Sequence, residues 1–89
     1  MIFMDINKLI AIVKKKIEEQ IKVENIKIED KSFLHKNHPG NQKEKFHLKL
    51  MIVSPELKKM NKVESNKKIY KIIENELKEH IHSIQILIS

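Results

Sequence analysis

The segment HLKLMIVS, residues 47–54, carries the strongest structural signal in the chain. Leu48, Leu50 and Ile52 alternate with other residues, as the buried side of a β-strand does. The second half of the segment is also more apolar than a solvent-facing edge strand allows. We therefore predict a central strand here. Pro55 ends it, because proline cannot donate to a ladder, and residues 56–59 predict a short turn.

The residues before this segment predict a second strand and a long loop. Ile26 and Ile28 alternate with polar neighbours within residues 23–30, which indicates a half-buried strand. Residues 31–45 are polar and contain His38-Pro39-Gly40, a sequence suited to a turn. The sequence thus predicts two antiparallel strands joined by an exposed loop, and loops of this length are often functional.

Two segments show the three-and-four spacing of amphipathic helices. The first covers residues 5–22, and Asp5 is suited to cap its N-terminus. Its apolar stripe consists of Ile6, Leu9, Ile10, Val13, Ile17 and Ile21. The second covers residues 62–80, with a stripe of Val63, Tyr70, Ile73 and Leu77 that Ile69 and Ile72 widen.

Residues 81–88 alternate again and predict a third strand. Ile84, Ile86 and Ile88 share one face, and His82 is in phase with them at the start of the strand. A strand that returns through a helical crossover runs parallel to its neighbour. The predicted class is therefore α+β, with order α-β-β-α-β, a three-stranded mixed sheet and both helices packed on one face. Type II KH domains have this order, and 89 residues fit a single domain over 1–89.

The composition excludes several kinds of protein. All 18 basic residues are lysines, against 12 acidic residues, so the net charge is +6. Cysteine is absent, which excludes a disulfide framework and any thiolate metal site made by this chain alone. Asp5, Asn7 and Lys8 interrupt the apolar stretch over residues 1–13, so we expect no membrane span and no signal peptide, and a cytoplasmic location.

The sequence lacks the motifs of common enzyme classes. It contains no G-x-S-x-G, no H-E-x-x-H and only one glycine, which cannot build a phosphate-binding loop. We therefore assign no catalytic residue and expect a protein that is not an enzyme.

Several short motifs occur together in a familiar order. Asp30-Lys31-Ser32 followed by His35 and His38 fits D-x-S-x-x-H-x-x-H, and residues 47–54 fit H-F-[RK] and V-x-V-S. Further on, Leu57, Ile69-Tyr70 and residues 81–84 fall where F-x-G, an aliphatic-Tyr pair and V-H-A-L are expected. This combination resembles the BolA-like family over nearly the whole chain. Two departures are Lys59 in place of the F-x-G glycine and residues 65–67, SNK, in place of R-H-R.

The resemblance implies a partner of monothiol glutaredoxins that shares a [2Fe–2S] cluster, in cluster trafficking or iron and redox regulation. It implies that His82 is one ligand and that a loop histidine, His38 or alternatively His35, is a second. The glutaredoxin cysteine and glutathione would supply the thiolates, so the isolated chain would bind no cluster. It implies a monomer alone and a heterodimer with the partner.

Other interpretations of the same residues remain open. His35, His38 and His82 are a possible zinc ligand set. His47 is interpreted either as a surface residue or as a residue that supports a metal ligand without binding the metal, and His80 as facing a helix C-terminus. Neither is assigned as a metal ligand. A DNA- or RNA-binding regulator is the alternative function, although the G-x-x-G loop of KH domains is missing. Its candidate phosphate contacts are Lys58, Lys59, Lys62, Lys67 and Lys68.

Overall fold

Three strands and four helices make up residues 4–32 and 45–89, which are the residues that the computed structural model describes. The elements are α1 (Ile6–Gln20), β1 (Asn25–Asp30), β2 (Phe46–Val53), α2 (Pro55–Lys58), α3 (Lys62–Ile72), α4 (Glu74–Glu79) and β3 (Ile81–Ile88).

The sheet has the predicted strand order. β2 is central, paired with β1 antiparallel and with β3 parallel. Leu50 stands opposite Ile28 on one side and opposite Ile86 on the other, so the apolar residues of the three strands share one face. The α+β class with a three-stranded mixed sheet is confirmed.

The core lies between that face and the helices. In α1 the buried residues are Leu9, Val13 and Ile17, which confirms the predicted stripe. The sheet contributes Leu48, Leu50 and Ile52, each at most 3 % exposed. The remaining buried apolar residues of the cluster are Ile21, Leu57, Ile69, Ile73 and Ile81.

Polar caps fix where α1 and α2 begin. The Asp5 carboxylate accepts the backbone N–H of Lys8 at 2.8 Å, as predicted for an N-cap. Ser54 is fully buried, and its hydroxyl accepts the Leu57 N–H and donates to the Lys22 carbonyl. Because Pro55 is preorganised for a first helical turn, the segment after β2 is the short helix α2, where the sequence predicted a turn.

The predicted second helix is two helices, α3 and α4, that meet at Ile73. Ile69 and Ile73 are buried, but Val63 is 63 % and Tyr70 is 44 % exposed, so the predicted stripe is wrong at both positions. The buried line passes through Ser65, which is 2 % exposed. The Ser65 hydroxyl donates to the Lys62 carbonyl at 3.1 Å, and this bond allows a polar side chain at a core position that apolar periodicity does not detect.

Candidate functional site

A β-bulge places His82 at the end of the sheet. Phe46 pairs with Ile81 and His47 pairs with Ser83, which leaves His82 as an extra residue in β3. The extra residue allows Ile81, which is buried, and Ile84, which is half-buried, both to face the core. The prediction that His82 is in phase with Ile84, Ile86 and Ile88 is therefore wrong, and its side chain is exposed.

His47 lies directly against His82. Their ring centroids are 4.9 Å apart, with the ring planes inclined at 56°. The Nδ1 atom of His47 lies 2.7 Å from the Ser83 hydroxyl, which orients the His47 ring across the parallel pair of strands. In the described residues the site is thus a pair of imidazoles, one of which is within hydrogen-bond distance of Ser83.

Backbone contacts hold the start of β2 in this position. The His47 N–H donates to the Ser32 hydroxyl at 3.1 Å, and the His47 carbonyl accepts the Lys31 N–H at 2.7 Å. The Ser32 N–H donates in turn to the Asp30 carboxylate at 2.9 Å. The D-x-S motif therefore fastens the end of β1 to the start of β2, beside the histidine pair.

The sequence leaves His47 either as a surface residue or as a support for a metal ligand, and it does not identify His82 as its neighbour. Parallel strands begin at the same edge of a sheet, so residues at the starts of β2 and β3 meet. The predicted parallel pairing therefore contained a signal for the contact between His47 and His82. The contact is not apparent from the sequence because the two histidines lie far apart along the chain.

The other histidines are in different situations. His38 and His35, the candidate loop ligands, lie outside the described residues. His80 follows α4, and its N–H donates to the Glu76 carbonyl, which agrees with its predicted place at a helix C-terminus. Within residues 4–32 and 45–89 no group of three or more His, Cys, Asp or Glu side chains could hold a metal ion. The zinc interpretation, which needs both loop histidines, stays a prediction.

The candidate nucleic-acid lysines differ in exposure and in the hollows that they line. Lys58, Lys59, Lys62 and Lys67 are exposed around α2 and the start of α3. Lys58 and Lys62 line a hollow of about 370 Å³ next to β3. Lys68 lines a different hollow of about 540 Å³ between α1 and α3.

Lys68 is already paired. Its Nζ atom lies 2.8 Å from Oε2 of Glu56, whose Oε1 accepts the Lys22 N–H at 3.1 Å. The Lys68 hydrogen bond, followed by the Lys22 backbone N–H, lowers the pKa of Glu56 from its ordinary value of 4.5. A phosphate at Lys68 would have to compete with this carboxylate.

The fold and the paired histidines define a small α+β domain of type II KH-like strand order, with an imidazole site where two parallel strands begin. Residues 17–89 match the BolA family of BolA-like proteins. The chain belongs to that family.

Individual relatives agree with this assignment. The chain is 31 % identical over 75 residues to the DNA-binding transcriptional regulator BolA of Haemophilus influenzae, an alignment that covers 84 % of this chain and 70 % of the relative. The BolA domain of SufE1 from Arabidopsis thaliana superposes with a TM-score of 0.72 at 26 % identity, covering 89 % of this chain and 87 % of that one.

Two further solved structures share the fold. BolA1 from Arabidopsis thaliana has a TM-score of 0.72 at 22 % identity, and the match covers 90 % of this chain and 88 % of that chain. BolA1 from Mus musculus has a TM-score of 0.71 at 18 % identity, with 89 % and 62 % covered. In the described part of the chain, none of the helices has the length and apolar content needed to cross a membrane.

Proposed function

We propose that this protein binds a monothiol glutaredoxin and shares a [2Fe–2S] cluster with it through His82. The observation that carries the proposal is the exposed His82 ring at a bulge, in contact with the oriented ring of His47. A ligand for a cluster held by another protein has to be accessible, and a bulge at the end of a sheet presents a side chain in that way.

The side chains of this protein can supply the histidine ligands of a shared [2Fe–2S] cluster but not its thiolate ligands. The chain has no cysteine, so it can contribute imidazole but no thiolate. The partner's cysteine and its glutathione would supply the sulfur ligands. Histidine in place of thiolate raises the reduction potential of a [2Fe–2S] centre, as Rieske centres show. His38, or alternatively His35, remains the proposed second ligand from the loop.

His47 has a supporting role in this proposal. Side chains that contact a ligating histidine restrict its orientation, and they affect metal affinity although they do not bind the metal themselves. The Ser83 hydrogen bond fixes the His47 ring, and that ring limits the positions open to His82. His47 is thus a positioning residue for His82.

The proposed activity is binding without catalysis. The protein would be a monomer alone and a heterodimer with the glutaredoxin. Cluster sharing through glutathione requires a reducing compartment, so the proposed location is the cytoplasm. The role is cluster trafficking or regulation by iron and redox state.

A titration tests the proposal. The protein is added to cluster-loaded monothiol glutaredoxin while visible circular dichroism is recorded, with His82→Ala and the matched control His80→Ala in parallel. We expect a spectral change that saturates at equimolar protein, disappears with His82→Ala and persists with His80→Ala. An unchanged spectrum with the wild-type protein, or equal changes with all three proteins, would refute the proposal.

DNA binding is a second candidate, supported by the name of the Haemophilus influenzae relative and by the exposed lysines. Lysines give phosphate contacts that weaken with salt and read little sequence. Since Lys68 is paired with Glu56, the contacts would come from the others, above all Lys62 and Lys67.

Fluorescence anisotropy with duplex DNA tests this candidate. The double variant Lys62→Gln/Lys67→Gln should bind more weakly. A plot of log affinity against log salt should also become less steep, by roughly 0.9 for each phosphate that the variant no longer neutralises. Lys14→Gln/Lys15→Gln, on the exposed side of α1, is the charge-matched control. Equal affinity for both variants would exclude this surface.

A further inference from the structure

One edge of β3 faces away from β2. In the described residues the sheet ends at β3, which pairs only with β2. The Ser89 N–H donates to the Ile52 carbonyl, and the Ser89 carbonyl accepts the Ser54 N–H. Because backbone groups of successive strand residues point to opposite sides, those of Ile84, Ile86 and Ile88 point away from β2. They form a row of donors and acceptors at the edge of the sheet.

Beyond the bulge at His82, this edge carries no charged residue and no proline. Exposed edge strands commonly carry proline, lysine or another charged residue, which prevents pairing with another chain. Residues 81–88, IHSIQILI, contain none of these apart from His82 at the start. The last part of the strand is therefore open to an additional strand, and Leu87 is 43 % exposed there.

A hollow of about 370 Å³ lies beside this part of the edge, between β3 and the turn from α2 to α3. Apolar side chains form much of its wall, so an incoming segment would find apolar contacts there as well as backbone hydrogen bonds. These side chains are Leu57, Met60, Ile86, Leu87 and Ile88.

The polar groups of the hollow indicate an anionic occupant. Lys58 and Lys62 line it, and among the described residues no acidic side chain does. Asn66 also lines it, and in the described residues its Oδ1 is buried without a hydrogen-bond partner. A small rotation of this amide toward an incoming N–H would satisfy the oxygen.

We propose that β3 and the α2–α3 turn bind an extended acidic peptide segment, which adds to the sheet as a strand alongside β3. An edge strand gives affinity through main-chain hydrogen bonds, and pockets for alternate side chains give specificity. A second copy of β3 would bring no carboxylate to Lys58 and Lys62. A single-stranded nucleic acid could contact these lysines but has no peptide backbone to pair with Ile84, Ile86 and Ile88.

The proposal is independent of the cluster site, because His82 lies at the opposite end of β3. The probes are acetylated octapeptide amides in which Glu alternates with Val, Leu or Phe. They are titrated into ¹⁵N-labelled protein, with the corresponding Lys-containing peptides as controls. We expect shifts of the Ile84, Ile86 and Ile88 amides and of the Asn66 side chain with the acidic peptides only.

Three variants and one modification of the peptide make the test specific. Lys58→Gln/Lys62→Gln should weaken peptide binding about tenfold, whereas Lys14→Gln/Lys15→Gln and His82→Ala should not change it. The backbone nitrogens of the peptide are methylated at every second position, in two peptides that differ in which set is methylated. Only one set of N–H groups faces β3, so methylation of that set should abolish binding and methylation of the other set should not.

Four results would overturn the proposal. The first is that no acidic peptide shifts the amides at millimolar concentration. The second is that the protein binds both sets of methylated peptides equally well. The third is that an eight-nucleotide oligothymidine produces the shifts and no peptide does. The fourth is a dependence of the β3 amide shifts on protein concentration alone, which would identify a second copy as the occupant.

Discussion

The rings of His47 and His82 lie 4.9 Å apart although the two residues are distant in the sequence. The contact exists because β2 and β3 are parallel and begin at the same edge, and because the bulge brings His82 beside the His47–Ser83 pair. The contact connects the fold to the proposed function, since the His82 ring would bind the cluster and the His47 ring would orient His82.

His47→Ala should weaken the complex with cluster-loaded glutaredoxin about tenfold, because loss of a group that orients a metal ligand typically costs 10–100-fold in metal affinity. Circular dichroism titration gives the affinity. Ser83→Ala, which removes only the 2.7 Å hydrogen bond, should have a smaller effect. The free energy of unfolding of both variants, measured in urea, should stay near that of the wild type. If His47→Ala binds as the wild type does, His47 has no positioning role.

Lys16→Met should destabilise the protein by about 1–3 kcal/mol, because it leaves the Glu76 carboxylate buried without its cation. The Lys16 Nζ lies 2.7 Å from Oε2 of Glu76, a residue only 8 % exposed, and Oε1 has no partner in the described residues. The double variant Lys16→Met/Glu76→Leu should recover most of the stability, since it removes the unpaired carboxylate and puts apolar contacts in place of a partly buried ion pair. Urea unfolding measures both, and equal destabilisation by the single and double variants would argue against this account.

Glu56→Gln should reduce stability at neutral pH and make little difference in acid. The Lys68 hydrogen bond lowers the pKa of Glu56 in the folded protein. A carboxyl with a lowered folded pKa stabilises the fold above its unfolded pKa, and this contribution is lost as the pH falls through the folded pKa. The difference in free energy of unfolding between wild type and Glu56→Gln should therefore shrink below about pH 4.5.

Glu18→Gln is the control for that experiment, because Glu18 is exposed on α1 and forms no salt bridge in the described residues. It should leave the free energy of unfolding nearly unchanged at every pH. A difference between wild type and Glu56→Gln that stays constant from pH 7 to pH 3 would contradict the role given to the Lys68 pair.

Ile69→Ala should cost about 2–5 kcal/mol, because it leaves a cavity at a fully buried position. Val63→Ala should stay within about 0.5 kcal/mol, since Val63 is largely exposed. The comparison tests which side of α3 faces the core. Comparable destabilisation by the two substitutions, measured by urea unfolding, would support the stripe predicted from the sequence instead.

The sequence was sufficient for the features that depend on local periodicity. The spacing of Leu9, Val13 and Ile17 predicted α1, and the alternation of Leu48, Leu50 and Ile52 predicted the central strand. Both patterns repeat with the period of the element that they form, so they can be recognised without knowing what packs against them.

Features that depend on distant partners could not be predicted in this way. Glu76 is buried because Lys16, 60 residues away, meets it, and Ser65 is buried because a helix carbonyl satisfies its hydroxyl. The bulge at His82 arises from the pairing of β3 with β2, so the alternation of residues within β3 does not predict it. Family resemblance implied that His82 is a ligand, and the sequence allowed a supporting role for His47. The contact between the two rings was found only from the fold.

The most direct test of the shared cluster is pulsed electron paramagnetic resonance on the reduced complex, with this chain labelled with ¹⁵N-histidine and the glutaredoxin unlabelled. We predict a nitrogen hyperfine coupling that changes from the ¹⁴N to the ¹⁵N pattern with the label and loses one component with His82→Ala. A reduced cluster without any coupling to a labelled histidine would contradict the account.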